Sequence, residues 1–193
     1  MTNHDSKEKY LLVVSGPSGA GKDTVIARLM ALHPEIEVSI SATTRAKRTG
    51  ETEGVNYYYL TQEAFEQKIQ RHEMLEYTNY CGNYYGTPKS EVDKRIENKI
   101  TVVLVIEVQG AANIKRIYPD CTTIFIYPPS SEELEARLKG RGTETAACIE
   151  GRLQRAKEEM QLAPQYDAKV INDEVDACAA RIYAILKERQ AKQ

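Results

Sequence analysis

The stretch Leu11-Leu12-Val13-Val14-Ser15-Gly16-Pro17-Ser18-Gly19-Ala20-Gly21-Lys22 carries the logic of the whole chain. Four apolar residues in an unbroken run, with no polar residue alternating among them, describe a short strand covered on both faces. The run ends in a glycine-rich turn that fits G-x-x-x-x-G-K, and helical spacing from Thr24 to Leu32 follows. Strand, glycine turn and helix in this order make a cradle for phosphate. Glycines let successive backbone N–H groups point inward around an anion, and the helix N-terminus adds the positive end of its dipole. Lys22 adds a full charge for the β- and γ-phosphates of a nucleoside triphosphate. Gly16, Pro17, Ser18, Gly19, Ala20, Gly21, Lys22, Asp23 and Thr24 form this expected triphosphate-binding set.

One letter departs from the pattern. A Ser or Thr hydroxyl usually follows the lysine and binds Mg²⁺, whereas this chain has Asp23 and then Thr24. A carboxylate is a good hard-oxygen ligand for Mg²⁺, so Asp23 is expected to face the ion, directly or through water, with Thr24 capping or packing. The alternative is that Asp23 only favours the first turn of its helix.

Outward from the loop the same rhythm repeats. Thr101 to Ile106 and Thr123 to Tyr127 are further buried-strand runs rich in β-branched residues, and Val170-Ile171 closes a shorter one. Helical patterns lie between and after them, at Gly110 to Ile117, Ser131 to Lys139 and Val175 to Lys187. This alternation predicts a doubly wound α/β core with a parallel sheet. Two stretches break it. From about Ile40 to Ser90 the chain is polar and tyrosine-rich, with Tyr57 to Leu60 and Glu76 to Tyr85 reading as antiparallel strands. They flank a helix from Gln62 to Arg71, N-capped by Thr61. Glu132 to Gln161 reads as two charged helices joined at Gly140-Arg141-Gly142-Thr143, loosely packed for want of apolar positions. The expected division is a core of 1–39, 91–131 and 162–193, a small lobe over 40–90 and a helical lid over 132–161.

Composition excludes several classes of function. A formal charge of -2 gives no long-range attraction to nucleic acid or an anionic membrane. Met1 to Lys9 has no apolar stretch of the kind that targets a chain for export, and no run approaches the length of a membrane span. Four widely spaced cysteines, Cys81, Cys121, Cys148 and Cys178, read as reduced thiols in a cytoplasmic protein. Oligomeric state is left undecided.

A second anion grip stands at Ser39-Ile40-Ser41-Ala42-Thr43-Thr44-Arg45-Ala46-Lys47-Arg48, followed by Gly50-Glu51 and Gly54-Val55-Asn56-Tyr57. Two arginines three residues apart, backed by tyrosine hydroxyls, suit a phosphate monoester. Taken alone, the cluster reads equally well as a solvated basic loop.

The block S-x-S-x-T-T-R-x-x-R-x-G-E resembles the GMP-binding block of guanylate kinases. Further matching segments follow in order: Glu73-Met74-Leu75-Glu76, Gly82-Asn83-Tyr84-Tyr85-Gly86-Thr87, Ile106-Glu107-Val108-Gln109-Gly110-Ala111 and Pro128-Pro129-Ser130. Arg137-Leu138, Gly140 to Thr145, Arg152-Leu153 and Ile171-Asn172-Asp173 complete the series, so the resemblance spans Leu11 to Lys187. It implies a P-loop nucleoside monophosphate kinase that moves the γ-phosphate of ATP onto GMP, and onto dGMP, with Mg²⁺ as cofactor. By the same resemblance Arg45 and Arg48 hold the GMP phosphate with Tyr57 and Tyr85. Ser41, Glu76 and Thr87 read guanine, Glu107 lies against the nucleoside, and Asn172 helps line the ATP adenine site. Guanine presents two N–H donors side by side for a carboxylate and an O6 acceptor for a hydroxyl, a pattern that adenine lacks. One further departure is Val105, where the family often carries an acid; the role of that acid is either absent here or covered by Glu107 or Asp23.

The expected catalytic groups are Lys22, Arg45, Arg137, Arg141 and Arg152. A GMP phosphate oxygen is already anionic at neutral pH, so no general base is needed, and His4, His33 and His72 read as solvated surface. Two rivals are a guanylate-kinase-like binding module without catalysis and a P-loop kinase for another acceptor. Intact Lys22 opposes the first, and Ser41 with Glu76 opposes the second.

Overall fold

The computed structural model describes residues 7–80, 82–139 and 146–192. In chain order the elements are β1 (Leu11–Ser15), α1 (Lys22–Leu32), β2 (Ile36–Val38), β3 (Ala42–Thr43), β4 (Tyr58–Tyr59), α2 (Gln62–Gln70), β5 (Met74–Tyr80) and β6 (Asn83–Pro88). They continue with α3 (Lys89–Glu97), β7 (Thr101–Val105), α4 (Val108–Ile117), β8 (Thr122–Tyr127), α5 (Ser131–Lys139), α6 (Ala146–Leu162), β9 (Ala168–Ile171) and α7 (Val175–Lys192).

The unbroken apolar run of β1 is explained by its place. It lies at the centre of a parallel sheet ordered β2-β7-β1-β8-β9, and all five of its residues are buried. Side chains alternate along the strand. Leu12 and Val14 join Val25, Leu29 and Ile182 of α1 and α7 on one face, while Leu11 and Val13 join Val92, Ile96 and Ile114 of α3 and α4 on the other. Because every pairing is parallel, the loops that follow β1, β7, β8 and β9 share one edge, and the strand order reverses at β1. Ligands of open α/β sheets bind at such a switch point.

The second sheet, β4-β3-β6-β5, differs from the expectation in one respect. The strand read at Tyr57 to Leu60 is shorter and pairs parallel with β3, not antiparallel with its neighbours. Tyr58 and Leu60 donate their N–H groups to the carbonyls of Ser41 and Thr43 at 2.9 and 2.8 Å. β3 holds only two residues, too few to show a period, so its pairing partner was not visible in the sequence. The stretch read from Glu76 to Tyr85 spans two strands, β5 and β6, which pair antiparallel with each other. Thr61 caps α2 by accepting from the Ala64 N–H at 3.1 Å. α3 had no strong sequence signal because only Val92 and Ile96, one turn apart, are buried.

The helical pair packs through few buried apolar side chains. Leu134 and Leu138 of α5 are buried with Ala156 of α6, forming a small cluster of their own. The stripe meets the phosphate loop rather than the sheet: a Cβ placed on Gly19 would lie 2.9 Å from Leu134 Cδ1 and 3.2 Å from Leu138 Cδ2. Gly140 to Thr145, with Arg141, lies outside the described residues, as does His4. His33 stacks on Tyr183 with ring centroids 3.4 Å apart, which replaces the solvated reading. Cys121 and Cys178 are buried free thiols, and burial raises them to about 12 and about 11. Among the described residues no helix is long and apolar enough to cross a membrane.

Candidate functional site

A cleft of about 450 Å³ opens at the shared strand edge. Gly16, Ser18, Lys22 and Asp23 line it from the phosphate loop, and Ser41, Tyr57, Glu76 and Tyr85 line it from the small sheet. Glu107 and Gly110 enter from the head of α4, and Arg152, Arg155 and Glu159 enter from α6. Segments read separately in the sequence therefore meet around one space.

The phosphate loop is held from behind. Gly16 passes so close to β8 that a Cβ there would lie 2.2 Å from the Ile126 carbonyl oxygen, so no other residue fits. Asn172, buried at the end of β9, donates its amide to the Ala20 carbonyl at 2.8 Å. It thus reaches the loop backbone rather than the cleft. Lys22 opens α1, and its ammonium donates to the carbonyls of Gly16 and Pro17 at 2.6 and 3.1 Å. Those bonds arch the charge over its own loop. The helix begins at Lys22, two residues before the expected start, with Gly21 as N-cap. Thr24 therefore neither caps nor packs. It is exposed in the first turn and, with Asp23, lines a smaller hollow of about 200 Å³ bounded by Ser18, Gly19, Gly21 and Lys22 of the loop and the head of α1.

The turn from Arg45 to Glu51 is ordered by one carboxylate. Glu51 accepts from Arg45 Nη2 and Nη1 at 2.7 and 3.1 Å, from the Arg48 N–H at 2.8 Å and from the Tyr59 hydroxyl at 2.7 Å. These donors, the Arg45 guanidinium foremost, hold the Glu51 carboxyl down at about 2. The same pairing raises Arg45, whose guanidinium lies 5.6 Å from the Tyr57 ring centroid and 5.9 Å from that of Tyr59. Tyr57 meets Tyr85 edge to face at 6.1 Å. Thr43 and Thr44, the paired threonines of the motif, clasp β6: Thr43 Oγ1 donates to the Tyr84 carbonyl, and Thr44 Oγ1 accepts its N–H. Arg48 is exposed and stands outside the cleft wall.

Glu76 is a half-buried acid of the site. Thr87, directly opposite on β6 and fully buried, donates its hydroxyl to Glu76 Oε1 at 2.7 Å. Burial raises the Glu76 carboxyl above its ordinary value, against the lowering effect of the Thr87 bonds. Thr87 thus holds Glu76 from behind while Glu76 faces the cleft. Arg137 is not among the residues that line the cleft; it pairs with Glu133 at 3.0 Å and points one Nη toward the Ala20 carbonyl at 3.5 Å. Arg152 faces the cleft directly.

A family model described as guanylate kinase matches residues 8–189. A guanylate kinase of Lactococcus lactis is 46% identical over 94% of this chain and 89% of its own length. One of Halalkalibacterium halodurans is 46% identical over 97% and 92%. The crystal structure of guanylate kinase from Anaplasma phagocytophilum superposes with a TM-score of 0.74 at 34% identity, over 93% of this chain and 85% of that one.

The chain belongs to the guanylate kinase family.

It is accordingly a nucleoside monophosphate kinase whose reaction is the phosphorylation of GMP. A shikimate kinase from Bacteroides thetaiotaomicron, 12% identical with a TM-score of 0.51, shares the fold alone.

Within this guanylate kinase fold the structure adds residues that sequence reasoning did not single out. Glu51 sat in the quoted block without a role; its place three residues after Arg48 was the available signal. Arg155 and Glu159 gave none, since a charged helix face looks the same whether it meets solvent or a cleft. Arg155 donates to Glu107 Oε2 at 2.9 Å and to Glu159 Oε1 at 3.3 Å. Glu159 is raised by burial, opposed by Arg155 and Lys22. A third acid therefore stands near Lys22, beyond the Asp23 and Glu107 named to compensate for Val105.

Proposed function

We propose that the chain transfers the γ-phosphate of ATP to GMP and dGMP by in-line displacement, with 40–90 as the acceptor lobe and 132–161 as a lid. The observation that carries this reading is that Lys22 and the group Ser41, Tyr57, Glu76 and Tyr85 line one cleft. A donor cradle and an acceptor pocket facing one space are what direct transfer between two nucleotides requires.

Glu76 accepts the paired N–H donors of guanine, held in place by Thr87, and Ser41 meets O6. Arg45, already oriented by Glu51, grips the acceptor phosphate with Tyr57 and Tyr85, and Arg48 closes on it from the exposed turn. Glu107 lies against the nucleoside. Lys22, Arg137, Arg141 and Arg152 surround the transferring group and stabilise its charge. Asn172 serves the ATP site by bracing the loop through Ala20. The attacking oxygen is anionic, so no protein base acts on it. Closure of the lid excludes water that would otherwise accept the phosphoryl group.

Asp23 suits Mg²⁺: it offers hard carboxylate oxygens at the phosphate loop and lines both the cleft and the smaller hollow within the loop residues. Asp23 would hold the ion there, and Mg²⁺ would supply positive charge against that of the triphosphate. We place the reaction in the cytoplasm, where both nucleotides are available.

An ADP-release assay with GMP, dGMP, AMP, CMP and UMP tests the reading. GMP and dGMP are expected as substrates. Glu76→Gln should lower kcat/KM for GMP by about 5- to 150-fold, the cost of about 1–3 kcal/mol for a mismatched buried polar group. Equal turnover of AMP by the unaltered protein removes the base-reading role of Glu76. No turnover of any acceptor favours a binding module.

A further inference from the structure

Glu76, Glu107 and Glu159 line the cleft together with Asp23 of the phosphate loop, so four carboxylates border the space that an anionic acceptor must enter. Cations placed among them decide whether that entry is repelled. Arg155 is so placed. Its guanidinium leaves α6, gives one N–H to Glu107 and another to Glu159, and spans from the helical pair to the head of α4. Glu159 lies one turn further along the same helix with only 13% of its side chain exposed, so it is a fixed support. Glu107 occupies the N-cap position of α4 yet makes no capping bond. Among the described residues its side-chain hydrogen bond is the one from Arg155.

We propose that Arg155 is a positioning residue: supported by Glu159, it sets the Glu107 carboxylate for the acceptor nucleoside and ties the placement of α6 to occupancy of the acceptor pocket. The inference rests on the reading that Glu107 faces that nucleoside. A carboxylate has lone pairs for both partners, so Arg155 on Oε2 leaves Oε1 for the ligand. With both side chains about half exposed, the pair is worth little in open water. Its effect should grow as a bound nucleotide and the closing helix exclude water from the cleft.

Steady-state kinetics with GMP and ATP varied separately test this on Arg155→Ala, Arg155→Lys, Glu107→Gln and the double variant Glu107→Gln/Arg155→Ala. Arg155→Ala is expected to raise the KM for GMP about two- to fivefold, with the KM for ATP and kcat unchanged. Arg155→Lys should recover part of the loss. Glu107→Gln should itself raise the KM for GMP, and adding Arg155→Ala should then change it little further. The proposal is overturned if both KM values rise together in Arg155→Ala, or if the two substitutions are fully additive. It is also overturned if the KM for GMP stays unaltered in Arg155→Ala while raised in Glu107→Gln. An unaltered KM for GMP in Glu107→Gln instead removes Glu107 from the acceptor pocket, and both the underlying reading and this inference fall.

Discussion

In the loop from Gly16 to Lys22 the groups offered to an anion belong mostly to the backbone, whereas in the turn from Arg45 to Glu51 they belong to side chains. The loop is buried behind, braced by Asn172 and pressed against Ile126, and its shape is set by where a Cβ cannot go. The turn is shaped by charge: a single carboxylate gathers Arg45, the Arg48 N–H and Tyr59. A backbone cradle tolerates no change of shape but is indifferent to titration. A side-chain cradle tolerates substitution without unfolding, and its order depends on pH. The difference suits the proposed ligands, because every nucleoside triphosphate presents the same phosphates while the acceptor must be selected.

Three measurements test that contrast. The largest effect is expected from Lys22→Ala, which removes the full charge from the backbone cradle. By analogy with the loss of one preorganised donor, kcat should fall by about 10²–10³. The melting temperature should hold, since the loop's shape comes from packing; a large fall in stability would show that Lys22 is structural.

Next is Gly16→Ala. With a Cβ driven into the Ile126 carbonyl, the chain must shift at a cost of about 1–3 kcal/mol. For a chain of this length each kcal/mol lowers the midpoint by about 2–4 °C in a thermal melt. A melt indistinguishable from that of the unaltered protein refutes the claim that shape governs the loop.

The smallest effect is at the side-chain cradle. Glu51 is held at about 2 in the folded protein, against an ordinary value of 4.5. A depressed acid contributes stability that is fully present above its ordinary value and is lost as pH falls through the folded value. The difference in melting temperature between the unaltered protein and Glu51→Gln should be constant above about pH 5 and shrink toward zero on approaching about pH 2. A difference independent of pH would mean that packing, not charge, orders the turn.

Legibility in the sequence followed the same division. The β1 run and the glycine spacing after it identified a parallel α/β core, because a strand covered on both faces has no room for polar alternation. The resemblance carried most of the acceptor residues, and the structure brings Ser41, Tyr57, Glu76, Tyr85 and Glu107 to one cleft. Elements of weak period were not readable. β3 has two residues, α3 buries two side chains, and β4 took an unexpected direction because its partner could not be seen. The charged sequence of α5 and α6 gave no sign that Leu134 and Leu138 would pack on Ala156 and approach Gly19 of the phosphate loop.

The strand-loop-helix cradle and the two-faced sheet were legible in the sequence alone, because they depend on local spacing and side-chain type, whereas the candidate guanine-reading residues came from the resemblance. Only the tertiary structure decided that Glu51 orders the arginine turn, that Thr87 stands behind Glu76, and that Arg155 and Glu159 face the cleft instead of solvent. Which side of a polar helix meets a ligand depends on how distant segments pack around it, and no local pattern of residues encodes that direction.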